Sequence, residues 1–199
     1  MEVSPRDKII LSAVKLFSTK GFDATSVDEI ARNSGINKAM IYYYFSSKEE
    51  LLVSIIKKSI DEFYRIIEEM DISSFSSLRD FIRMLVVNVV DYIVTHRDVV
   101  KIFFREGFVY GDKIGTTVGK MLLSVFEDLI LRVRHKFSLS DTLSYVDCAI
   151  MTNLVAGIIH LESGYGGEEF EVVKSSYIDK VSSVIFYLVT GGNFSGGEV

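Results

Sequence analysis

Asn37, Lys38, Tyr42, Tyr43 and Tyr44 lie within eight consecutive positions. Between them they offer a carboxamide, an ammonium and three phenol hydroxyls, the groups that hydrogen-bond phosphate oxygens and base edges. A helix of about two turns fits this stretch. Such a helix cannot bury three adjacent tyrosines and a lysine around its whole circumference, so one face is expected to point outward. Contact with DNA is expected on that face.

What must hold this face in place is a set of helices. From Arg6 to Lys20 the apolar residues Ile9, Ile10, Ala13, Leu16 and Phe17 recur at helical spacing, and Gly21 stops the run. Ser26 and Glu29 form a capping-box pair that opens a short helix over about 27–33. Gly35 makes the next turn, and Asn37 is suited to cap the third helix. Ser47 and Glu50 repeat the capping-box pattern at the head of a long helix running to about Met70. Beyond it, Ser77-Leu-Arg-Asp80 caps a helix to about His96, and helical segments over 97–108 and 116–137 follow, separated by glycines around Gly111. Ser138-Leu-Ser-Asp141 signals a helix reaching about Ser163. The Gly164–Gly167 loop separates it from a last helix over 168–189, with a frayed tail from Gly191. No strand alternation persists, so the fold is expected to be all-α, with about nine helices.

The net charge of −5 argues against nucleic acid, but it is unevenly spread. Residues 1–60 carry nine Lys or Arg against seven Asp or Glu, while the remainder carries thirteen against twenty. An N-terminal DNA reader on an acidic body fits that asymmetry, because the local patch decides contact with DNA. Cys148 is alone, which excludes an intrachain disulfide and a cysteine metal cluster. His96, His135 and His160 lack metal-ligand spacing, Gly119-Lys120 lacks the context of a phosphate loop, and no serine sits in a nucleophile elbow. Catalysis, a resident metal and a cofactor are therefore not expected. The most apolar stretch, 84–94, is interrupted by Asn88 and Asp91 and is too short to span a bilayer. No signal peptide opens the chain, and a cytoplasmic protein is expected.

A helix, a glycine turn and a second helix make a helix-turn-helix, whose second helix enters the major groove. Ile30, Ala31, Ile36 and Ile41 are apolar or small where the two helices must pack, and Asn33, Lys38, Tyr42 and Tyr43 are left outside. Spacing alone is met equally by an αα-hairpin with a solvated face. The particular residues say more. Ala13 with Leu16-Phe17, Gly21-Phe22, Thr25-Ser26, Glu29-Ile30-Ala31, Gly35-Ile36-Asn37-Lys38, Ile41-Tyr42, Tyr44-Phe45 and Ser47-Lys48-Glu49-Glu50-Leu51 stand at fixed spacings. On these pieces, residues 9–51 resemble the DNA-binding domain of the TetR family of bacterial transcriptional regulators.

The resemblance implies a three-helix helix-turn-helix DNA-binding domain over 1–47. It also implies a larger helical effector-binding and dimerisation domain over 48–199, entered by a linking helix from about 48 to 70. It carries roles to particular positions. Thr25 and Ser26 would meet a phosphate; Asn37, Lys38, Ala39, Met40 and Tyr43 would face base edges; Tyr42, Tyr44 and Lys48 would hold phosphates. Ordinary packing or a solvated charge is the alternative for Tyr42, Tyr44 and Lys48. Ala39 stands where a glycine or small residue is usual, and Tyr44 where histidine is common. A homodimer through the last two helices is implied, for which Ala149, Asn153, Ala156 and Gly157 offer a stripe of small residues; intrachain packing is the other use of that stripe. An apolar small-molecule effector is implied, in a pocket drawing on Phe81, Asn88, Asp91, Tyr92, Phe103, Phe104, Phe108, Phe126, Asn153 and His160, each of which is also consistent with plain core. The implied function is ligand-controlled regulation, by default repression, at a palindromic operator in double-stranded DNA. The alternative is a small-molecule-binding protein of the same fold that does not bind an operator.

Overall fold

Ser4 opens the first helix, its hydroxyl oxygen accepting from the Asp7 amide at 3.1 Å, with Pro5 at the first position where no donor is needed. The computed structural model describes residues 3–109, 116–139, 145–165 and 167–190, and among these it is all-α, as the sequence implies. Helix α1 (Pro5–Lys20) buries Ile9, Ala13 and Phe17 completely and ends at Gly21, whose φ of +101° suits glycine alone. Helix α2 (Val27–Ser34) starts on the expected capping box: the Glu29 amide donates to Ser26 Oγ at 3.2 Å and the Ser26 amide to Glu29 Oε2 at 3.0 Å. Gly35, at φ +69°, turns the chain into α3 (Lys38–Tyr44), where the Met40 amide donates to Asn37 Oδ1 at 2.8 Å.

The three helices close on Ile30, Ile41, Phe22 and Phe45, all buried, with Phe17 and Phe22 edge to face at 5.2 Å. The buried Ser12 hydroxyl ties α1 to α2, donating to the Asn33 carboxamide oxygen at 2.9 Å. Helix α4 (Lys48–Glu68) follows, with one departure from the expected cap. The Glu50 amide does donate to Ser47 Oγ at 3.1 Å, but the Glu50 carboxylate reaches Ser46 rather than Ser47, accepting from its amide at 2.6 Å and from its hydroxyl. Ser46 wins because it places two donors on one carboxylate oxygen.

The remaining helices are α5 (Leu78–Thr95), preceded by a 3-10 turn over Ile72–Ser74, α6 (Arg97–Val109), α7 (Thr116–Phe137), α8 (Tyr145–Ala156), α9 (Ile158–Gly164) and α10 (Gly167–Val189). Two compact units result: residues 1–62 with 96–122, and residues 63–95 with 123–199. In the first, α6 packs on α1. In the second, α5 lies along α10 over Phe81, Val86, Val90, Ile178, Val181 and Ile185. Ion pairs from Lys174 to Asp91 at 2.6 Å and from Arg83 to Asp179 at 3.1 Å fix that pairing at its edges. Among the described residues, no helix is long and apolar enough to cross a membrane, and no group of three or more His, Cys, Asp or Glu could hold a metal ion.

The single helix expected up to Ser163 is in fact two, which accounts for ten helices among the described residues rather than about nine. The break comes from α10. The Tyr177 hydroxyl donates to the Leu154 carbonyl, the acceptor that an unbroken helix would offer to the Ile158 amide. A Cβ at Gly157 would collide with that hydroxyl. Gly157→Ala is therefore expected to destabilise the second unit by about 1–3 kcal/mol, and by about half as much or less in a Tyr177→Phe background. Equal costs in both backgrounds, read by thermal unfolding, would contradict the clash.

Acid should loosen the N-terminal helices through Glu29. The Lys20 ammonium at 2.5 Å and the Ser26 hydrogen bonds hold its carboxyl down to about 2, below its ordinary 4.5. A depressed pKa of this kind adds stability that is complete above about 4.5 and is lost as the pH falls through about 2. Glu29→Gln is expected to flatten the decline in thermal midpoint between pH 5 and pH 2; a decline as steep as that of the unaltered protein would refute the assignment.

Candidate nucleic-acid interface

Helix α3 presents two unlike faces. Ile41, together with Phe45 just beyond the helix, is buried toward α1 and α2, so the positions between them must point away. Asn37, Lys38, Ala39, Met40, Tyr42 and Tyr43 are all exposed, Tyr43 to 79%. Tyr44 is half-buried, edge to face with Tyr43 at 5.2 Å and tilted against Phe45 at 6.5 Å. The structure thus gathers the positions assigned to base edges, with Tyr42, on one open surface. Tyr44 stands at its margin, half-buried against its ring neighbours.

Three of the residues expected to grip phosphate are engaged within the protein. The Thr25 side chain is buried, and its hydroxyl donates to the Gly21 carbonyl at 2.7 Å, closing the α1–α2 turn. The Ser26 hydroxyl belongs to the capping box. Lys48 is neither a solvated charge nor simply an outstretched one. Its ammonium donates to the carbonyls of Phe22 at 2.8 Å and Thr25 at 2.9 Å and lies 4.2 Å from the centroid of the Phe22 ring. An ammonium has three donors, so one N–H remains for a phosphate. Lys48 therefore fixes the turn that leads into α2.

Lys38 also has a partner that the sequence reading did not name. Its ammonium meets Asp28 of α2 at 3.0 Å, and that carboxylate raises the lysine pKa. The pair is exposed and of little consequence for stability, but it holds the Lys38 cation toward α2 until a stronger anion competes. Two further residues went unnamed, Arg105 and Glu106 of α6. The Glu106 carboxylate is buried and accepts from the Phe22 amide at 3.1 Å and from Arg105 Nε at 2.8 Å, while the Arg105 guanidinium donates to the Phe17 carbonyl. An adjacent Arg-Glu pair inside an aromatic run was the available signal.

The candidate effector residues are scattered by comparison. Phe81 is buried between Phe75 at 5.4 Å and Phe137 at 6.2 Å, and Tyr92 is buried against Phe63 at 5.5 Å. Asn88 is half-buried on the same helix, whereas Asp91 is exposed and paired with Lys174. Phe103 and Phe104 belong to the first unit, half-buried and edge to face at 5.2 Å. Asn153 and His160 are exposed in the single chain, and the side chains of Phe108 and Phe126 lie outside the described residues.

Comparison with known proteins matches the part of the chain that this geometry singles out. Residues 9–55 match the model of bacterial regulatory proteins of the tetR family. A Bacillus subtilis (strain 168) protein named "Probable HTH-type transcriptional regulator YttP" is 36% identical over 107 residues, 53% of this chain and 52% of that one. The HTH-type transcriptional repressor NicS of Pseudomonas putida is 33% identical over 106 residues, 53% of this chain and 50% of its own. The chain thus spans about half the length of these curated relatives. Among solved structures, the transcriptional regulator FadR from Bacillus subtilis in complex with stearoyl-CoA superposes with a TM-score of 0.70 at 18% identity, covering 93% of this chain and 98% of that one. Residues 9–55 thus match the tetR family of bacterial regulatory proteins, and the chain shares its fold with the solved regulator along most of its length.

Proposed function

We propose that this regulator is a cytoplasmic repressor that binds a palindromic operator as a homodimer and is released by an apolar small molecule. The observation that carries the reading is the open face of α3, where Met40, Tyr42 and Tyr43 stand 39%, 48% and 79% exposed on a helix whose other face is locked into the core. Large apolar side chains are rarely left so exposed beside one another without a partner. Residues 1–47 are the reader and residues 48–199 carry the effector and the dimer contact. Asn37, Lys38, Ala39, Met40 and Tyr43 meet base edges. Tyr42 and the third N–H of Lys48 meet phosphates, with the first turn of α2 beside them.

The dimer forms through α8 and α10. Ala156 and Gly157 are already used inside the chain, so the contact falls to Ile150 of α8 and to Val184 and Tyr187 of α10, all exposed in the single chain. The effector reading draws support from the stearoyl-CoA bound by the FadR neighbour. Sedimentation tests the assembly: a species of twice the 22.4 kDa chain mass is expected, and a monomer at micromolar concentration would overturn the symmetric model. Fluorescence anisotropy of an operator duplex tests release. A cell lipid extract should raise Kd at least about tenfold, and an extract of polar metabolites should leave it unchanged.

A further inference from the structure

Phe22 sits in the turn between α1 and α2, and the structure grips it from both sides with charge. Its carbonyl accepts from the Lys48 ammonium at 2.8 Å, and its amide donates to the Glu106 carboxylate at 3.1 Å. The two peptide planes flanking one residue are thereby fixed by charge-assisted hydrogen bonds, the stronger kind. The Thr25 hydroxyl closes the same turn from within. Of these partners Glu106 is the most distant in sequence, 84 residues along the chain on α6.

Packing alone does not call for a carboxylate here. Helix α6 already buries Ile102 completely, and an apolar residue at 106 would serve that contact as well. A buried carboxylate carries a desolvation cost that must be offset by its bonds. Glu106 has two, to the Phe22 amide and to Arg105, and Arg105 in turn reaches the Phe17 carbonyl at the end of α1. The last turn of α1 and the entry to α2 therefore hang from one Arg-Glu pair on α6. We propose that Glu106 is a positioning residue for DNA binding: through the Phe22 amide it sets where α2 begins, and with α2 the stance of the exposed α3 face. This rests on the reading of α3 as the DNA reader.

The test uses the full-length chain and the duplex that the unaltered protein enriches from a random pool. Glu106→Leu removes the acceptor and Glu106→Gln keeps a carbonyl oxygen for the amide. At a temperature where all three proteins are folded by circular dichroism, Glu106→Leu should weaken binding at least about tenfold, the equivalent of one strong hydrogen bond. Glu106→Gln should stay within about threefold. Hydrogen exchange should show the Phe22 amide losing protection in the Leu variant and keeping most of it in the Gln variant. A folded Glu106→Leu protein that binds the duplex as tightly as the unaltered chain would reduce Glu106 to a satisfied core group and overturn the proposal. So would unchanged protection at Phe22. An unaltered chain that enriches no duplex, with Phe22 protected, would instead sink the DNA reading itself and the positioning role with it.

Discussion

Replacing Lys48 by Met is expected to lower the stability of the N-terminal unit by about 2 kcal/mol with no DNA present. The apolar stem survives the change, so what is lost is the ammonium between the Phe22 and Thr25 carbonyls and its contact with the Phe22 ring. A hydrogen bond to a charged group contributes about 1.5–3 kcal/mol, and two oxygens lose their donor together. Partial access of water to the site keeps the estimate at the lower end. Binding should suffer as well: loss of one phosphate contact lowers the slope of log K against log salt by about 0.9. Both effects must appear. A variant as stable as the parent but with the reduced salt slope would make Lys48 a phosphate ligand only. A destabilised variant with the parent's slope would make it a structural residue only.

The opposite pattern is expected of the double variant Tyr42→Ala, Tyr43→Ala. Both rings are exposed, and Tyr43 meets the ring of Tyr44 edge to face at 5.2 Å. The folded chain should lose no more than that edge-to-face contact, about 0.5–1.5 kcal/mol. Specific DNA affinity should nevertheless fall on the order of 100-fold, because each side chain that contacts the duplex contributes about 1–3 kcal/mol. Thermal unfolding and anisotropy on the same preparations separate the two quantities. Unchanged affinity would return both tyrosines to the status of solvated surface.

These two residue sets also mark how far the sequence could be read. Caps are local, so Ser26 with Glu29 and Asn37 with Met40 were visible within four positions, and helical spacing revealed the buried side of α1. The exposed tyrosines followed from the shortness of α3. What was hidden is long in sequence and short in space. The carbonyls that hold Lys48 lie 23 and 26 residues before it, and its charge alone does not distinguish them from a phosphate. The same limit applies to Gly157: small residues from Ala149 to Gly157 suit either a dimer contact or intrachain packing, and at Gly157 it is Tyr177 on another helix that fills the space and breaks the helix. In the aromatic body, residue type does not separate lining from core. Phe81 proves to be hemmed by Phe75 and Phe137. Asp91, placed as a ligand contact, has its cation in Lys174.

The central claim is that the open face of α3 reads DNA, and selection from a random duplex pool tests it most directly. The unaltered protein and the Tyr42→Ala, Tyr43→Ala variant would be carried through the same rounds. The expected result is a consensus of two inverted half-sites centred about one helical turn apart, enriched by the former and lost by the latter. No enrichment by the unaltered protein, or the same consensus from both proteins, would contradict it.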